Sequence, residues 1–260
     1  MDLKCPTSAA ELTASQAMFV AKLYFIGVSR EEFLTRCFLE FTGLKLLKRY
    51  PVEKTDDPDC LSDVFELRYK KRRFTLTGEQ FGAFCERLSF LVDRPAEIPC
   101  PETVAGYRRP DYRLFDASLE EWLTADAFYA NYLRSKGESG LDEMIAVLYR
   151  PQGEPYSDEG FETRLPDIKK SKQVPKTAFL LWYVGLKAFF RREYPFVFRP
   201  SDGSEDVSPH KTIFALLESL NDGRPQENER ILKTRLHEVL YSLNEKIKTV
   251  DEFKKNHSGF

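Results

Sequence analysis

The stretch Ser29-Arg-Glu-Glu-Phe-Leu-Thr-Arg-Cys-Phe-Leu-Glu-Phe-Thr-Gly43 indicates the class of the fold most clearly. It opens with a hydroxyl residue and a glutamate three positions later, the spacing that caps the N-terminus of a helix. Its apolar residues then recur at helical spacing, and a glycine follows at the end. The stretch therefore predicts one amphipathic helix that buries a single face.

The same capping spacing occurs at three other places, namely Thr13–Gln16, Thr77–Gln80 and Ser118–Glu121. An apolar stripe of helical period follows each of them. Further helices are predicted at residues 141–149, 177–192 and 225–248, and one that begins at Ser208. The chain is therefore predicted to be mainly α-helical.

Residues 64–77 depart from this pattern. Phe65, Leu67 and Tyr69 alternate with polar residues, and Phe74 and Leu76 resume the alternation after a short basic segment. A period of two on both sides of a tight turn is typical of a β-hairpin. We expect one small β-hairpin, at about residues 64–77, within the helical protein.

Proline-rich segments suggest how the chain is divided. Residues 93–112 contain four prolines, which disfavour helix and point to a lobe boundary. We predict a two-lobed protein, with lobes at residues 1–106 and 107–260, or one continuous domain. Residues 150–176 also read as a loop, either functional, partly helical or mobile, and 194–200 as one extended segment.

The composition excludes several classes of protein. With 39 basic and 41 acidic residues the net charge is −2, so the chain as a whole is not a polycationic binder. Five scattered cysteines without a C-x-x-C pair indicate a reducing compartment. The longest apolar stretches fall well short of the roughly 20 residues that span a bilayer, and Met1–Cys5 lacks a signal peptide. A cytoplasmic protein without a membrane segment is expected.

Catalytic spacings are absent from the sequence. It contains no phosphate-binding G-x-x-x-x-G-K-[ST] loop and no G-x-G-x-x-G turn. His237-Glu238 begins like a zincin motif, but Tyr241 stands where the second histidine would be. Cys37 and Cys85 lie on apolar stripes and are interpreted as core residues. The sequence thus predicts a non-enzyme without catalytic residues, metal site or cofactor, although an active site assembled from distant residues stays open.

The segment Arg68-Tyr-Lys-Lys-Arg-Arg73 at the tip of the predicted hairpin is the candidate for ligand binding. Its five cations are Arg68, Lys70, Lys71, Arg72 and Arg73. They can follow a nucleic-acid backbone while an aromatic ring stacks on a base. Alternatively, they form a solvated turn that keeps an exposed strand edge from pairing with other chains.

Aromatic residues near predicted helix ends and in loops are candidates for protein interaction. They are Tyr149, Tyr156, Phe161, Phe196 and Phe198. Packing of loops onto a large core explains them equally well.

Residues 107–192 carry a resemblance. The residues concerned are Leu119, Trp122-Leu-Thr-Ala-Asp126, Tyr132, Leu141, Ile145-Ala-Val-Leu-Tyr-Arg-Pro151, Tyr156, Phe161 and the apolar segment 179–190. This run resembles small helical proteins from the tail-gene region of tailed phages and prophages. The resemblance implies a structural or tail-assembly-chaperone role, in the host cytoplasm or in the virion. The leading expectation is therefore a non-enzymatic structural or assembly-helper protein that binds phage structural proteins or itself, and the alternative is a nucleic-acid-binding accessory protein.

Overall fold

The described part of the computed structural model contains nine α-helices and five short β-strands. This confirms the predicted mainly α-helical class. The structure describes residues 4–52, 62–93, 97–135, 137–199, 217–218, 220–221 and 223–257. The predicted helix that begins at Ser208 lies mostly outside these residues.

The helices are α1 (Ala14–Ile26), α2 (Arg30–Thr42), α3 (Gly78–Glu86), α4 (Leu119–Ser135), α5 (Glu138–Leu148), α6 (Asp158–Lys169), α7 (Gln173–Glu193), α8 (Asn228–Lys233) and α9 (Leu236–His257). The strands are β1 (Lys45–Tyr50), β2 (Val64–Tyr69), β3 (Arg72–Thr77), β4 (Thr103–Val104) and β5 (Tyr107–Arg108).

The chain forms two compact units. The first comprises Met1–Pro101 together with Gln173–Gly185, and the second comprises Glu102–Lys172 together with Leu186–Phe260. The first of the two segments that form this unit ends within the proline-rich part of the sequence. The second segment is the N-terminal part of α7.

The helix starts follow the predicted capping spacings. Thr13 with Gln16 and Thr77 with Gln80 form complete capping boxes, in which each side chain bonds the backbone of the other residue. Ser29 caps α2 by accepting from the Glu32 backbone N–H. At α4, the Ser118 N–H donates to the Glu121 carboxylate at 2.8 Å. These caps satisfy backbone donors that a helix start leaves without partners.

The first unit contains an antiparallel sheet in the order β1-β2-β3. The predicted hairpin is β2 and β3, paired from Val64↔Thr77 to Tyr69↔Arg72. One face of the sheet packs on α3 through Phe65, whose ring stacks on Phe81 with centroids 4.6 Å apart. Phe81 in turn meets Phe38 of α2. The core of this unit therefore lies on one side of the sheet and leaves the other side open to solvent.

The second unit is built around the close pair α4 and α5. A Cβ at Gly140 would lie 2.9 Å from both the Phe128 carbonyl oxygen and the Tyr132 backbone nitrogen. Only glycine lets the two backbones approach to this distance. Trp122 of α4 packs edge-on against Phe190 of α7, and both rings are buried.

Of the alternatives for residues 150–176, the partly helical one is confirmed, since Ser157 caps α6 and Pro166 is accommodated inside it. Three other predictions about connections need correction. The described residues of the predicted extended segment 194–200 are not extended, since the Val197 N–H bonds the Tyr194 carbonyl in a turn. The predicted helix 225–248 is interrupted at Thr234, and β4 and β5 form a second, two-residue hairpin.

Candidate functional site

Strands β1, β2 and β3 with their turn carry a concentration of positive charge that we call the basic sheet. Its residues include one acid, Glu66, and eight cations, which are Lys45, Lys48, Arg49, Arg68, Lys70, Lys71, Arg72 and Arg73. The chain as a whole has a net charge of −2, so this charge is strongly segregated.

Strand register aligns three of these cations across the sheet. Lys45 of β1 lies opposite Arg68 of β2, and Arg68 lies opposite Arg73 of β3. Directly opposite residues share a face, and successive residues alternate between faces. Phe65 and Leu67 face α3, so Arg68 and its two neighbours lie on the solvent side. We call Lys45, Arg68 and Arg73 the cation row.

The row next to it holds the single acid of the basic sheet. Glu66 lies between Lys48 and Thr75. Its carboxylate lies 3.4 Å from the Arg73 guanidinium and accepts a 3.3 Å hydrogen bond from the Tyr50 hydroxyl. The Lys48 ammonium sits 4.3 Å above the Tyr50 ring centroid. One carboxylate cannot neutralise this surface.

Among the described residues, most of the other cations of the basic sheet have no counter-ion. No ion pair is formed there by Lys45, Arg68, Lys70, Lys71 or Arg72. Arg49 is the exception, since it pairs with Asp63, and its hydrogen bond lowers the pKa of that carboxyl. The solvent face of the basic sheet is therefore electropositive.

Lys70, at the hairpin tip, has a backbone conformation that is unusual for lysine. Lys70 has φ 54°, in the left-handed region that glycine and asparagine adopt more easily. For an L-residue such as lysine this conformation costs roughly 1 kcal/mol. The Lys70 ammonium lies 5.2 Å from the centroid of the Tyr69 ring, so a charge and an aromatic surface meet at the tip.

The predicted aromatic anchors lie in the second unit, where several are packed internally. Tyr149 is fully buried, so it is a core residue and cannot serve as an exposed anchor. Phe161 stacks on Phe128, and Phe198 stacks on Phe190. Phe196 carries the Arg199 guanidinium over its ring, and the Tyr156 hydroxyl donates to Asp158. Participation of the four remaining aromatics in protein binding stays a prediction.

Thiol and metal chemistry have little support in the described part of the chain. Burial raises the pKa of the Cys37 thiol to about 12 and that of Cys85 to about 11, which disfavours the reactive thiolate. Both are core residues, as expected. Among the described residues, no three histidine, cysteine or acidic side chains are grouped to hold a metal ion.

Among the described residues, no helix is both long and apolar enough to cross a bilayer.

The sequence identified the hairpin half of the basic sheet and missed the other half. Lys45, Lys48 and Arg49 belong to β1, which was not predicted as a strand. The seven residues between Gly43 and Pro51 were the available signal, but Leu46 and Leu47 together break the alternation at a β-bulge.

No family model, curated protein or solved structure matches this chain. The resemblance of residues 107–192 to phage tail-gene proteins, and the assembly role that it implies, therefore stay predictions.

Proposed function

We propose that the basic sheet binds the phosphate backbone of nucleic acid without reading its sequence. The observation that carries this proposal is the position of Arg68 in the central strand, between Lys45 and Arg73. Cationic side chains that contact phosphates supply most of the affinity in sequence-independent binding.

Protection of strand edges accounts for some of these cations and not for Arg68. Charged residues on an edge strand discourage pairing with other chains. Strands β1 and β3 are the edges of this sheet, whereas β2 is paired on both sides. A cation on β2 gains nothing from edge protection and is repelled by like charges directly opposite. An anionic ligand removes that repulsion.

The chemistry of the face favours nucleic acid over an anionic membrane. Two of the four strand cations that the register places on this face, Arg68 and Arg73, are arginines, whose planar guanidinium matches phosphate oxygens in a bidentate manner. The solvent face carries threonines, Tyr50 and the half-buried Val64 beside its cations, and the register places the other apolar residues of β2 and β3 on the opposite face. A membrane-bound surface would need apolar side chains to insert on the cationic side.

The test measures binding of labelled single-stranded and duplex DNA by fluorescence anisotropy over a salt series. Lys45→Gln, Arg68→Gln and Arg73→Gln are combined in one variant. We expect at least about tenfold weaker binding at low salt, and a slope of log affinity against log salt that is less steep by about 2 to 3.

The matched control removes the same charge elsewhere in the first unit. Lys22, Arg36 and Arg87 are exposed and lie outside the sheet. A Lys22→Gln, Arg36→Gln, Arg87→Gln variant should bind within about twofold of the parent, because backbone contacts act over about one Debye length. If both triple variants lose DNA affinity equally, the lower net charge alone explains the loss and the basic sheet is not the binding site. Binding to phosphatidylserine vesicles but not to DNA would assign the face to membranes instead.

A further inference from the structure

The second unit contains a polar cleft that the basic sheet does not explain. Its volume is about 430 Å³, and it is lined by residues 102–103, 108–112, 116 and 150–153. Three arginines, Arg108, Arg109 and Arg150, contribute to its walls, so we call it the arginine cleft.

Backbone pairing holds two of these arginines side by side. The Arg108 N–H donates to the Arg150 carbonyl oxygen at 3.1 Å, and the Arg150 N–H donates to the Arg108 carbonyl at the same distance. Residues that exchange both hydrogen bonds in an antiparallel pair present their side chains on one face. The side chains of Arg108 and Arg150 therefore leave the main chain on the same wall of the cleft.

Arg150 forms the fixed base of this wall. Its side chain is 12% exposed and forms an ion pair with Glu121, which is 4% exposed, and its Nη2 atom lies 3.6 Å from Asp116. Burial lowers the pKa of Arg150 from its ordinary value. Two carboxylates hold this guanidinium in place and keep it charged.

A second buried cation adds to the potential near Arg150. Arg164 of α6 is 2% exposed, and its Nε atom donates to the Ala146 carbonyl at 3.0 Å. Within the described residues, its buried Nη2 atom has no hydrogen-bond partner. Burial and the neighbouring charge of Arg150 both lower the pKa of Arg164. A buried cation without full compensation favours an anion nearby.

Three acids line the cleft, of which Glu102 is exposed and the other two accept hydrogen bonds from the wall. Asp111 accepts the Tyr112 N–H at 2.7 Å, and Asp116 accepts the Asp111 N–H at 2.9 Å in addition to pairing with Arg150. In contrast, the exposed Arg109 side chain forms no hydrogen bond or ion pair within the described residues. The groups left to meet a ligand are thus the Arg109 guanidinium, the Arg108 guanidinium, which also donates to Gln152, and the Glu102 carboxylate.

We propose that the arginine cleft binds a small molecule through an oxyanion, a phosphate or a carboxylate, held by Arg108 and Arg109 against the wall that Arg150 fixes. Guanidinium groups bind either oxyanion through paired N–H donors. The cleft volume lies within the range of small-molecule sites. The site lies in the second unit and does not depend on nucleic-acid binding by the first.

Isothermal titration calorimetry at constant ionic strength tests the proposal, with inorganic phosphate, glucose 6-phosphate and citrate as probes and chloride as the reference anion. Saturable one-to-one binding of at least one probe is expected. Stronger binding of the two phosphate probes would identify a phosphate site, and stronger binding of citrate would identify a carboxylate site. Absence of saturable binding with all three probes would overturn the proposal.

Variants localise the binding. Arg109→Ala removes an exposed side chain, so it should fold normally and weaken binding about tenfold or more, because hydrogen bonds to charged groups are strong. Arg109→Lys keeps the charge without the paired donors, so its affinity should lie between those of the parent and of Arg109→Ala. Arg134→Ala removes an exposed charge from α4 and should leave binding unchanged. Equal weakening by Arg109→Ala and Arg134→Ala would also overturn the proposal.

Discussion

The Nε2 atom of His237 lies 2.8 Å from the carbonyl oxygen of Arg113. A carbonyl oxygen accepts only, so Nε2 donates to it, and Nδ1 shares a hydrogen bond of 2.7 Å with the Tyr194 hydroxyl. Burial raises the pKa of Tyr194. Arg113 and Leu114 both have positive φ, at 56° and 63°. His237 thus connects the strained turn at Arg113 and Leu114 to helix α9.

We expect His237→Ala to lower the free energy of unfolding of the second unit by about 2–3 kcal/mol. The change removes the hydrogen-bond partner of the buried Tyr194 hydroxyl and of the half-buried Arg113 carbonyl, and it removes the ring on which Phe115 stacks at 4.1 Å. Trp122 lies in the second unit and Trp182 in the first, so urea unfolding followed by fluorescence in a Trp182→Phe background reports on the correct unit.

Tyr241→Ala on the same helix is the matched control for His237. Its side chain is 65% exposed, so the expected change is within about 0.5 kcal/mol. Similar losses in the two variants would show that the hydrogen bonds of His237 do not hold the turn.

Gly140→Ala should destabilise the protein although alanine favours helix. The new methyl group would meet backbone atoms of Phe128 and Tyr132 at 2.9 Å, so α4 and α5 must separate. Overpacking of this kind costs about 1–3 kcal/mol or more, which exceeds the gain of roughly 1 kcal/mol in helix propensity. Thermal and urea unfolding followed by circular dichroism measure the change.

Gly82→Ala should stabilise the protein in the same assay. Gly82 lies in α3 and has no atom within 4 Å of the Cβ that alanine would add. We expect stabilisation by about 0.5–1 kcal/mol from the smaller entropy of the unfolded chain. A loss at Gly82 equal to that at Gly140 would contradict the steric explanation.

Local chemistry explains which helices could be predicted from the sequence. Caps such as Thr13 with Gln16 depend on residues three positions apart, so their spacing is visible in the sequence. The interruption at Thr234 depends on distant partners, since the Leu119 N–H bonds the Thr234 carbonyl and the Leu236 N–H bonds the Ala117 carbonyl. No pattern within residues 225–248 indicates those bonds.

The basic sheet, too, could be predicted only in part from the sequence. The five cations from Arg68 to Arg73 lie within six consecutive residues, so they are visible in the sequence. Lys45 lies 23 positions before Arg68, and it joins the cation row only through strand pairing. The arginine cleft is less visible still, because Arg108 and Arg150 meet across more than 40 residues.

Alkaline stability should depend on the buried thiols. The thiol pKa of Cys37 is raised from 9.0 to about 12 and that of Cys85 to about 11, chiefly by burial. Above pH 9 the unfolded chain loses these protons while the folded chain retains them. Stability therefore falls as pH rises through this window, by up to about 1.4 kcal/mol per pH unit for each thiol.

Comparison of two cavity variants isolates this effect. Cys37→Ala should be less stable than the parent at neutral pH, yet its unfolding free energy should fall less steeply above pH 9. Leu34→Ala in the same helix also opens a cavity, since Leu34 is 2% exposed, but it should keep the parental slope. Urea unfolding from pH 8 to about pH 11 gives both slopes, and identical slopes in the two variants would refute the argument.

Arg68→Gln should make the protein more stable while it weakens nucleic-acid binding. Arg68 lies directly opposite Lys45 and Arg73, and relief of this repulsion is worth about 0.2–1 kcal/mol. The gain should disappear near 1 M salt, where the Debye length is about 3 Å. Arg36→Gln should change stability in the opposite direction, because Arg36 pairs with Glu32 one helical turn away. If Arg68→Gln instead destabilises the fold at low salt, Arg68 is a structural residue of the sheet. Stabilisation together with lost affinity is the result that a ligand-binding role alone explains.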